Sequence, residues 1–230
     1  VNKEKRDFLG AVGAALFERI KGAKLTEEIK ILKLIYEQLQ KKQILVWMRD
    51  QELEARIQEL GWGGDLGNYG GDYLYIVEAN LGANKANCCV TRSVVQSIDG
   101  DKERVSIRWE NSSEFSDPKP PVFWGGNYID YVRVVIPAAA QVEDAEKYDI
   151  ETRGRFKIVG FWVTVPAGGS AVAELSYEDT KRLSDEEYRI LVRRQPGIDS
   201  FPYKLVVDGK VVVSDTIDRD KEYTWTKLKK

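Results

Sequence analysis

The stretch Gly-Trp-Gly-Gly-Asp-Leu-Gly-Asn-Tyr-Gly-Gly-Asp, residues 61–72, divides this chain into two parts. Six of its twelve residues are glycine, and a segment so rich in glycine does not form a regular helix or strand. Before it, apolar residues recur at helical spacing. After it, apolar and polar residues alternate with the period of a β-strand. The sequence therefore predicts a helical subdomain over residues 1–72 and a β-sandwich domain over residues 73–230, with residues 73–98 as a segment that would pack on the helical part.

The helical part contains three predicted helices. Apolar residues from Phe8 to Ile20 recur every fourth position, and Gly22 is placed to end this first helix. Thr26 is the predicted N-cap of the second helix and Asp50 that of the third. The third helix is expected to direct its apolar side chains inward, namely Leu53, Ile57 and Leu60.

The β part is indicated by alternation and by turn residues. Val206-Val207-Asp208-Gly209-Lys210-Val211 is the clearest local signal, because Asp-Gly between apolar runs is a preferred two-residue hairpin turn. Val105, Ile107 and Trp109 alternate with polar residues and are expected to face a core. A short apolar run over residues 44–48 is interpreted as one further buried strand, within the helical part. The predicted β-domain strands are Tyr73–Ala79, Cys88–Ile98, Arg104–Asn111, Tyr131–Ile136, Phe156–Val165, Ala171–Tyr177, Tyr188–Gln195, Tyr203–Val207 and Val211–Ser214.

These patterns predict an α+β fold. A helical N-terminal subdomain with one short strand would precede an immunoglobulin-like antiparallel β-sandwich.

Composition excludes several classes of function. Positive and negative charges are interleaved and sum to a net charge of −2, so no basic stripe is available for nucleic acid. No window of about 18 apolar residues could span a bilayer. The chain has no histidine, which removes Ser-His-Asp and Cys-His catalysis and the usual zinc sites. No cofactor and no metal are expected.

Carboxylates are the remaining side chains that could take part in catalysis. Asp65, Asp72 and Glu78 lie near one another in sequence, and paired carboxylates can hydrolyse glycosides. The alternative interpretation is that these three carboxylates are ordinary solvent-exposed residues. A binding module is therefore favoured over an enzyme. Cys88 and Cys89 are adjacent, and in a strand they would point to opposite faces as two separate thiols.

Two tryptophans are candidates for ligand contact. Trp62, beside the glycines, would stack on a sugar ring or lie in the core. Trp124, with Tyr128 and Tyr131, would form an exposed binding patch or close the end of the sandwich, and burial is favoured.

The segment Glu78-Ala79-Asn80-Leu81-Gly82-Ala83-Asn84-Lys85-Ala86-Asn87 resembles the C-terminal region of family 4012 of bacterial domains of unknown function. The ordered set of further matches covers most of the chain from about residue 44: Leu60-Gly61-Trp62-Gly63-Gly64, Phe123-Trp124-Gly125, Tyr131-Val132-Arg133-Val134, Val165-Pro166-Ala167-Gly168 and Gln195-Pro196-Gly197. Cys88 and Cys89 depart from the family pattern, in which aromatic or aliphatic residues are expected.

The resemblance implies a location outside the cytoplasm, at the cell surface or envelope, with an anchor upstream of this region. The chain, which begins at Val1, is accordingly expected to be part of a longer, membrane-anchored protein. The resemblance implies no established activity.

The turn at residues 80–87 is interpreted in two ways. Asn80, Asn84 and Asn87 would build the turn through bonds to the backbone, or would bind a ligand. Lys85 would neutralise Glu78 or reach a ligand carboxylate or phosphate. The candidate ligand-binding residues are thus Asn80, Asn84, Lys85, Asn87, Trp62 and Trp124.

The predicted function is a non-catalytic extracytoplasmic envelope module that binds or assembles with other cell-surface components. Its expected partners are envelope proteins or glycan, or further copies of itself, and not nucleic acid. The alternatives are a carboxylate-based enzyme acting on envelope glycan and a self-assembling surface subunit.

Overall fold

The computed structural model describes residues 3–22, 24–117, 119, 124–179 and 187–226. Phe123, in one motif of the resemblance, lies outside these residues. Three helices come first: α1 (Lys3–Lys21), α2 (Leu25–Gln40) and α3 (Gln51–Glu59). The carboxylate of Asp50 accepts hydrogen bonds from the backbone N–H groups of Glu52 and Leu53, both at 3.0 Å, so the predicted cap of α3 is confirmed.

Two secondary-structure predictions in the helical part are wrong. Thr26 lies inside the first turn of α2, because the helix begins at Leu25 and the Glu27 carboxylate accepts from the Lys24 N–H at 3.3 Å. Residues 44–48 form no strand and are largely exposed, with Trp47 exposed at 74%. A hydrogen bond at 3.0 Å links Val46 N–H to the Trp62 carbonyl, but none of the described strands pairs with this segment.

The helices leave most of their described apolar side chains exposed. The inward orientation predicted for the third helix is wrong for Leu53 and Leu60, which are each more than half exposed, whereas Ile57 is half-buried. The end of α2 is nevertheless fixed to the sandwich. Lys42 is buried, its Nζ lies 3.1 Å from the Asp220 carboxylate, and Arg194 donates to the carbonyl of Lys41.

The β part contains twelve described strands in two sheets of six. They are β1 (Asp72–Asn80), β2 (Val90–Asp99), β3 (Lys102–Asn111), β4 (Tyr128–Pro137), β5 (Gln141–Val142), β6 (Asp149–Arg153), β7 (Phe156–Val165), β8 (Ser170–Glu178), β9 (Glu187–Arg193), β10 (Phe201–Val207), β11 (Lys210–Ile217) and β12 (Lys221–Thr226). All nine strands predicted in the β part are present, Phe156–Val165 with the predicted bounds and the other eight with one or both ends shifted. The β5, β6 and β12 strands were not predicted.

Both sheets are mixed, so the prediction of a purely antiparallel sandwich is wrong. The strand orders are β12-β9-β1-β4-β7-β6 and β11-β10-β2-β3-β8-β5. In the first sheet β1 pairs in parallel with β9, and in the second β2 pairs in parallel with β10. Each parallel pair joins strands far apart in sequence, and the remaining pairs are antiparallel.

The predicted hairpin between β10 and β11 is confirmed. Asp208 and Gly209 both have positive φ, of 48° and 74°, as a two-residue turn of this kind requires.

One apolar cluster fills the space between the two sheets. It combines side chains of the first sheet, such as Ile76 and Val134, with Val105, Ile107 and Trp109 of the second, which the alternation predicted to face inward. The cluster holds the two sheets together face to face. The β-rich α+β fold is therefore confirmed.

The glycine-rich segment lies against the outer face of the first sheet. Its Leu66 and Tyr69 pack on a small cluster formed by Tyr73, Val135 and Phe156. The Tyr73 hydroxyl donates to the carbonyl of Leu66 at 2.8 Å. The segment thus covers part of the sandwich as well as connecting the two parts of the chain.

The described part of the chain offers neither a membrane span formed by a helix nor a cluster of metal ligands. None of its helices combines the length and the apolar content needed to cross a bilayer. Within the same residues, no group of three or more acidic or cysteine side chains is arranged to hold a metal ion.

Candidate functional site

The three asparagines after β1 form a hydrogen-bonded cluster. Asn80 Nδ2 donates to Asn84 Oδ1 at 3.1 Å and to Asn87 Oδ1 at 2.7 Å. Asn84 Nδ2 donates to the carbonyl of Asn127 at 2.7 Å, and its Oδ1 accepts from Ala86 N–H at 3.1 Å. The two bonds of Asn84 to Asn127 and Ala86 are to backbone groups, as the turn-building interpretation requires, whereas Asn80 and Asn87 are joined side chain to side chain.

Lys85 lies apart from the charge that it was expected to neutralise. Its side chain is exposed, while its carbonyl accepts from Gly125 N–H at 3.3 Å. The counter-charge of Glu78 is Arg92, whose Nη1 lies 3.0 Å from Glu78 Oε1. Arg92, on β2, therefore neutralises Glu78 in place of Lys85.

The two candidate tryptophans are in separate places. Trp62 is half-buried against Tyr36, with ring centroids 6.1 Å apart in an edge-on arrangement. Trp124 is 58% exposed, so the burial favoured for it is wrong, whereas Tyr128 beside it is buried as expected. The alternation of β4 explains the difference, because Tyr128 begins the strand facing inward and Trp124 precedes it in a loop.

A buried polar cluster surrounds the carboxylate of Glu78. In addition to the ion pair with Arg92, its Oε1 accepts from Trp109 Nε1 at 2.5 Å, and its Oε2 accepts from the Tyr128 hydroxyl at 3.4 Å. The side chains of Glu78 and Arg92 are only 7% and 4% exposed. Three strands of the two sheets supply the donors, so the cluster links the sheets across the interior.

Asp130 lies beside this cluster and is completely buried. Burial raises the pKa of its carboxyl to about 7, and the negative charge of Glu78 acts in the same direction. Neither oxygen forms a hydrogen bond of good geometry with the described residues. Burial, together with Glu78, also raises the pKa of the Tyr128 hydroxyl, which therefore stays a proton donor.

A cavity of about 360 Å³ opens next to Glu78 and Arg92. The loop that follows β9 forms one wall, and the short 3₁₀ helix Ala86–Cys89 with the start of β2 forms another. Phe201 is part of the lining, and the Arg92 guanidinium carbon lies 4.1 Å from the centre of its ring. The lining also includes Asn87, Cys88, Thr91, Asp199 and Ser200.

The adjacent cysteines form a disulfide, so the interpretation as two separate thiols is wrong. They lie in the 3₁₀ helix before β2 and not in a strand, which removes the reason for pointing them to opposite faces. Cys88 lines the cavity. The disulfide thus forms part of the wall beside Asn87.

The three candidate catalytic carboxylates have separate environments. Asp65 is in the glycine-rich segment, where its Oδ2 accepts from Gly67 N–H at 2.8 Å. Asp72 is buried between the sheets and accepts from the Tyr188 hydroxyl and from Gln96. Glu78 alone lines the cavity. The structure does not bring the three together.

Sequence reasoning did not propose Arg92, Trp109, Asp130 or Gln195 for this region. A signal was present for the ion pair. Leu74 and Ile76 of β1 face the interior. Because side chains alternate along a strand, Glu78, two residues after Ile76, is expected to face the interior as well. On β2, Arg92 is likewise one of the alternate residues that face the interior. Two residues of opposite charge that face the interior from two strands predict a buried ion pair.

The whole sequence was compared with known proteins. No family model matches the chain, and no curated protein matches it. The resemblance to family 4012 therefore stays a prediction.

Proposed function

We propose that this chain is a non-catalytic, extracytoplasmic module of the cell envelope that assembles with other surface components through its helices. The observation that carries the proposal is the helical apolar surface, defined as Phe8, Val12 and Leu16 of α1 with Leu25, Ile29, Leu32 and Tyr36 of α2. Each of these side chains is between 47% and 71% exposed. Apolar surface on this scale favours burial against a partner.

The disulfide supports the proposed location. Disulfides persist in oxidising compartments and are rare in the cytosol. Cys88 and Cys89 are bonded to each other in a chain with no other cysteine. An envelope location, with an immunoglobulin-like sandwich held by an anchored parent protein, agrees with this chemistry and with the resemblance.

The spacing within α2 supports a self-assembling subunit as the second candidate. Leu25, Ile29, Leu32 and Tyr36, all exposed, are separated by steps of four, three and four residues. This is the spacing of the a and d positions of a coiled coil, in which one helix packs along another. A second copy of α2 would match it.

The glycan-active enzyme is less supported. Glu78 lines a cavity, but Arg92 neutralises it and Trp109 and Tyr128 occupy its oxygens. A carboxylate bound in this way is poorly placed to transfer a proton or attack a sugar. Its test is a hydrolysis assay on envelope glycan with Asp72→Asn and Glu78→Gln, and activity that survives both changes would contradict a mechanism that uses these carboxylates.

Site-specific photo-crosslinking tests the assembly proposal. A photoreactive residue would replace Leu32 on the helical apolar surface, in cells that make the protein. Lys204, which is exposed on β10 of the sandwich, is the control position. We expect crosslinked adducts in the envelope fraction from position 32 and few from position 204.

The adduct mass separates the candidates. Twice the chain mass indicates a second copy, and any other mass indicates a different envelope component. Equal adducts at the two positions, or none at position 32, would contradict the proposal. Recovery of the adduct only from the cytosolic fraction would contradict the location.

A further inference from the structure

The geometry points to a binding site for a small hydroxylated carboxylate, of the uronic acid class, in the cavity beside Arg92. This site uses no residue of the helical apolar surface and goes beyond the assembly proposal. The first observation is the incomplete pairing of the Arg92 guanidinium. Its Nη1 donates to Glu78, whereas its Nε and Nη2 are buried without an acceptor among the residues that the structure describes.

A buried N–H group of a charged side chain costs free energy unless it finds an acceptor. Nε and Nη2 lie on one edge of the planar guanidinium, which is the edge that a carboxylate binds with two parallel hydrogen bonds. Phe201 covers one face of the guanidinium at 4.1 Å, and Arg92 and Phe201 both line the cavity. Glu78 offsets the charge of Arg92, so the paired N–H groups of this edge, and not a net positive charge, favour a planar carboxylate.

The cavity has the size and lining for a sugar acid. Its volume of about 360 Å³ is at the lower end of the range of roughly 300–1,000 Å³ that is usual for small-molecule sites. Asn87, Thr91 and Ser200 line it and offer amide and hydroxyl groups to ligand hydroxyls. Asp199, also in the lining, accepts hydrogen bonds from hydroxyls but repels an anion, and therefore limits the affinity.

Trp109 provides a reporter that is one hydrogen bond away from the lining of the site. Its indole N–H donates to Glu78, which in turn holds Arg92. The experiment is a titration of the ¹⁵N-labelled protein with sodium glucuronate, followed by two-dimensional NMR at the Trp109 indole resonance. Glucose and N-acetyl-alanine serve as comparisons, because glucose lacks the carboxylate and N-acetyl-alanine lacks the hydroxyl groups.

We expect a saturable shift with glucuronate, a weaker response to N-acetyl-alanine and none with glucose. Arg92→Lys keeps the charge but loses the two-pronged edge, and should weaken glucuronate binding about tenfold. Asp199→Asn, on the exposed loop, should strengthen it about twofold to threefold by removing a like charge.

Three results would overturn the assignment. The first is an equal response to glucose and glucuronate, which would remove the role of the charge. The second is N-acetyl-alanine binding as tightly as glucuronate, which would exclude a sugar acid. The third is unchanged or weaker glucuronate binding in Asp199→Asn, a readout that stands even where Arg92→Lys does not fold.

Discussion

The side-chain amide of Gln195 pairs with both backbone groups of Glu78. Gln195 Oε1 accepts from Glu78 N–H at 2.8 Å, and Gln195 Nε2 donates to the Glu78 carbonyl at 2.8 Å. The parallel pairing of β9 with β1 runs from Asp72 to Tyr75 on the β1 side. Beyond it, the glutamine side chain replaces a strand. This pairing fixes the loop after β9, which forms one wall of the cavity, to Glu78, whose carboxylate is the centre of the buried polar cluster.

Replacement of Gln195 by alanine should lower the free energy of unfolding by about 1–3 kcal/mol. Two backbone groups of Glu78 would lose their partners in a half-buried place. Urea denaturation measures the change, with Gln43→Ala as the control, because Gln43 is exposed. An equal effect of the two substitutions would show that the pairing adds nothing.

The buried ion pair gives a second prediction. Glu78→Gln should lower the free energy of unfolding by about 3–5 kcal/mol, because it leaves the Arg92 charge buried without compensation. The matched control is Glu110→Gln. Glu110 pairs with Arg108 at the same distance of 3.0 Å, but both side chains are at least half exposed. We expect about 1 kcal/mol or less there.

Adding Arg92→Met to Glu78→Gln should recover part of the loss, because the double variant has no buried unpaired charge. A double variant at least as unstable as the sum of the single variants would contradict this description of the pair. Equilibrium denaturation of the four proteins in the cycle measures the coupling.

Asp130 predicts a particular dependence of stability on pH. Its carboxyl has a pKa of about 7 in the folded chain and 3.8 as the ordinary value. The folded state therefore binds more protons between these values. The stability that Asp130 contributes is fully present below pH 3.8 and is lost as the pH rises through about 7.

Asp130→Asn removes this titration. Its stability relative to the unmodified protein should increase from pH 4 to pH 7, by up to about 1.4 kcal/mol for each pH unit, and then level off. Denaturant unfolding at intervals of one pH unit measures the difference. Parallel curves for the two proteins would mean that Asp130 is ionised in the folded state throughout.

The disulfide predicts a labelling pattern. The chain unfolded in guanidinium without reductant should take up no maleimide, because Cys88 and Cys89 are bonded to each other. After reduction it should take up two labels, and intact-protein mass spectrometry counts them. Labelling without reductant, in protein prepared from an oxidising compartment, would contradict the disulfide and weaken the argument for an envelope location.

Local sequence signals accounted for much of the β part. Alternation placed Val105, Ile107 and Trp109 in the core, and Asp208 with Gly209 formed the expected hairpin. These features depend on neighbours in the chain. The two parallel pairs were not predictable in this way, because each depends on packing between segments far apart in sequence. The strand β6 was missed because all five of its residues are exposed and give no alternation.

The candidate site was only partly predictable. The asparagine turn was predicted by residue type, since Asn80 and Asn84 have amides that replace backbone partners. Glu78 and Arg92 share no local motif. They meet because each lies at an inward-facing position of its own strand. Exposure of the helices was not predicted, because an amphipathic pattern identifies an apolar face without identifying what covers it.

Hydroxyl-radical footprinting of the helical apolar surface tests the central claim most directly. Side-chain oxidation would be measured in the isolated chain and in intact envelopes, with Trp162 on the sandwich, 60% exposed, as the reference. We predict strong oxidation of Phe8, Leu16 and Tyr36 in the isolated chain and at least severalfold protection in the envelope. Equal oxidation of these residues in both preparations would contradict a role for the helices in assembly.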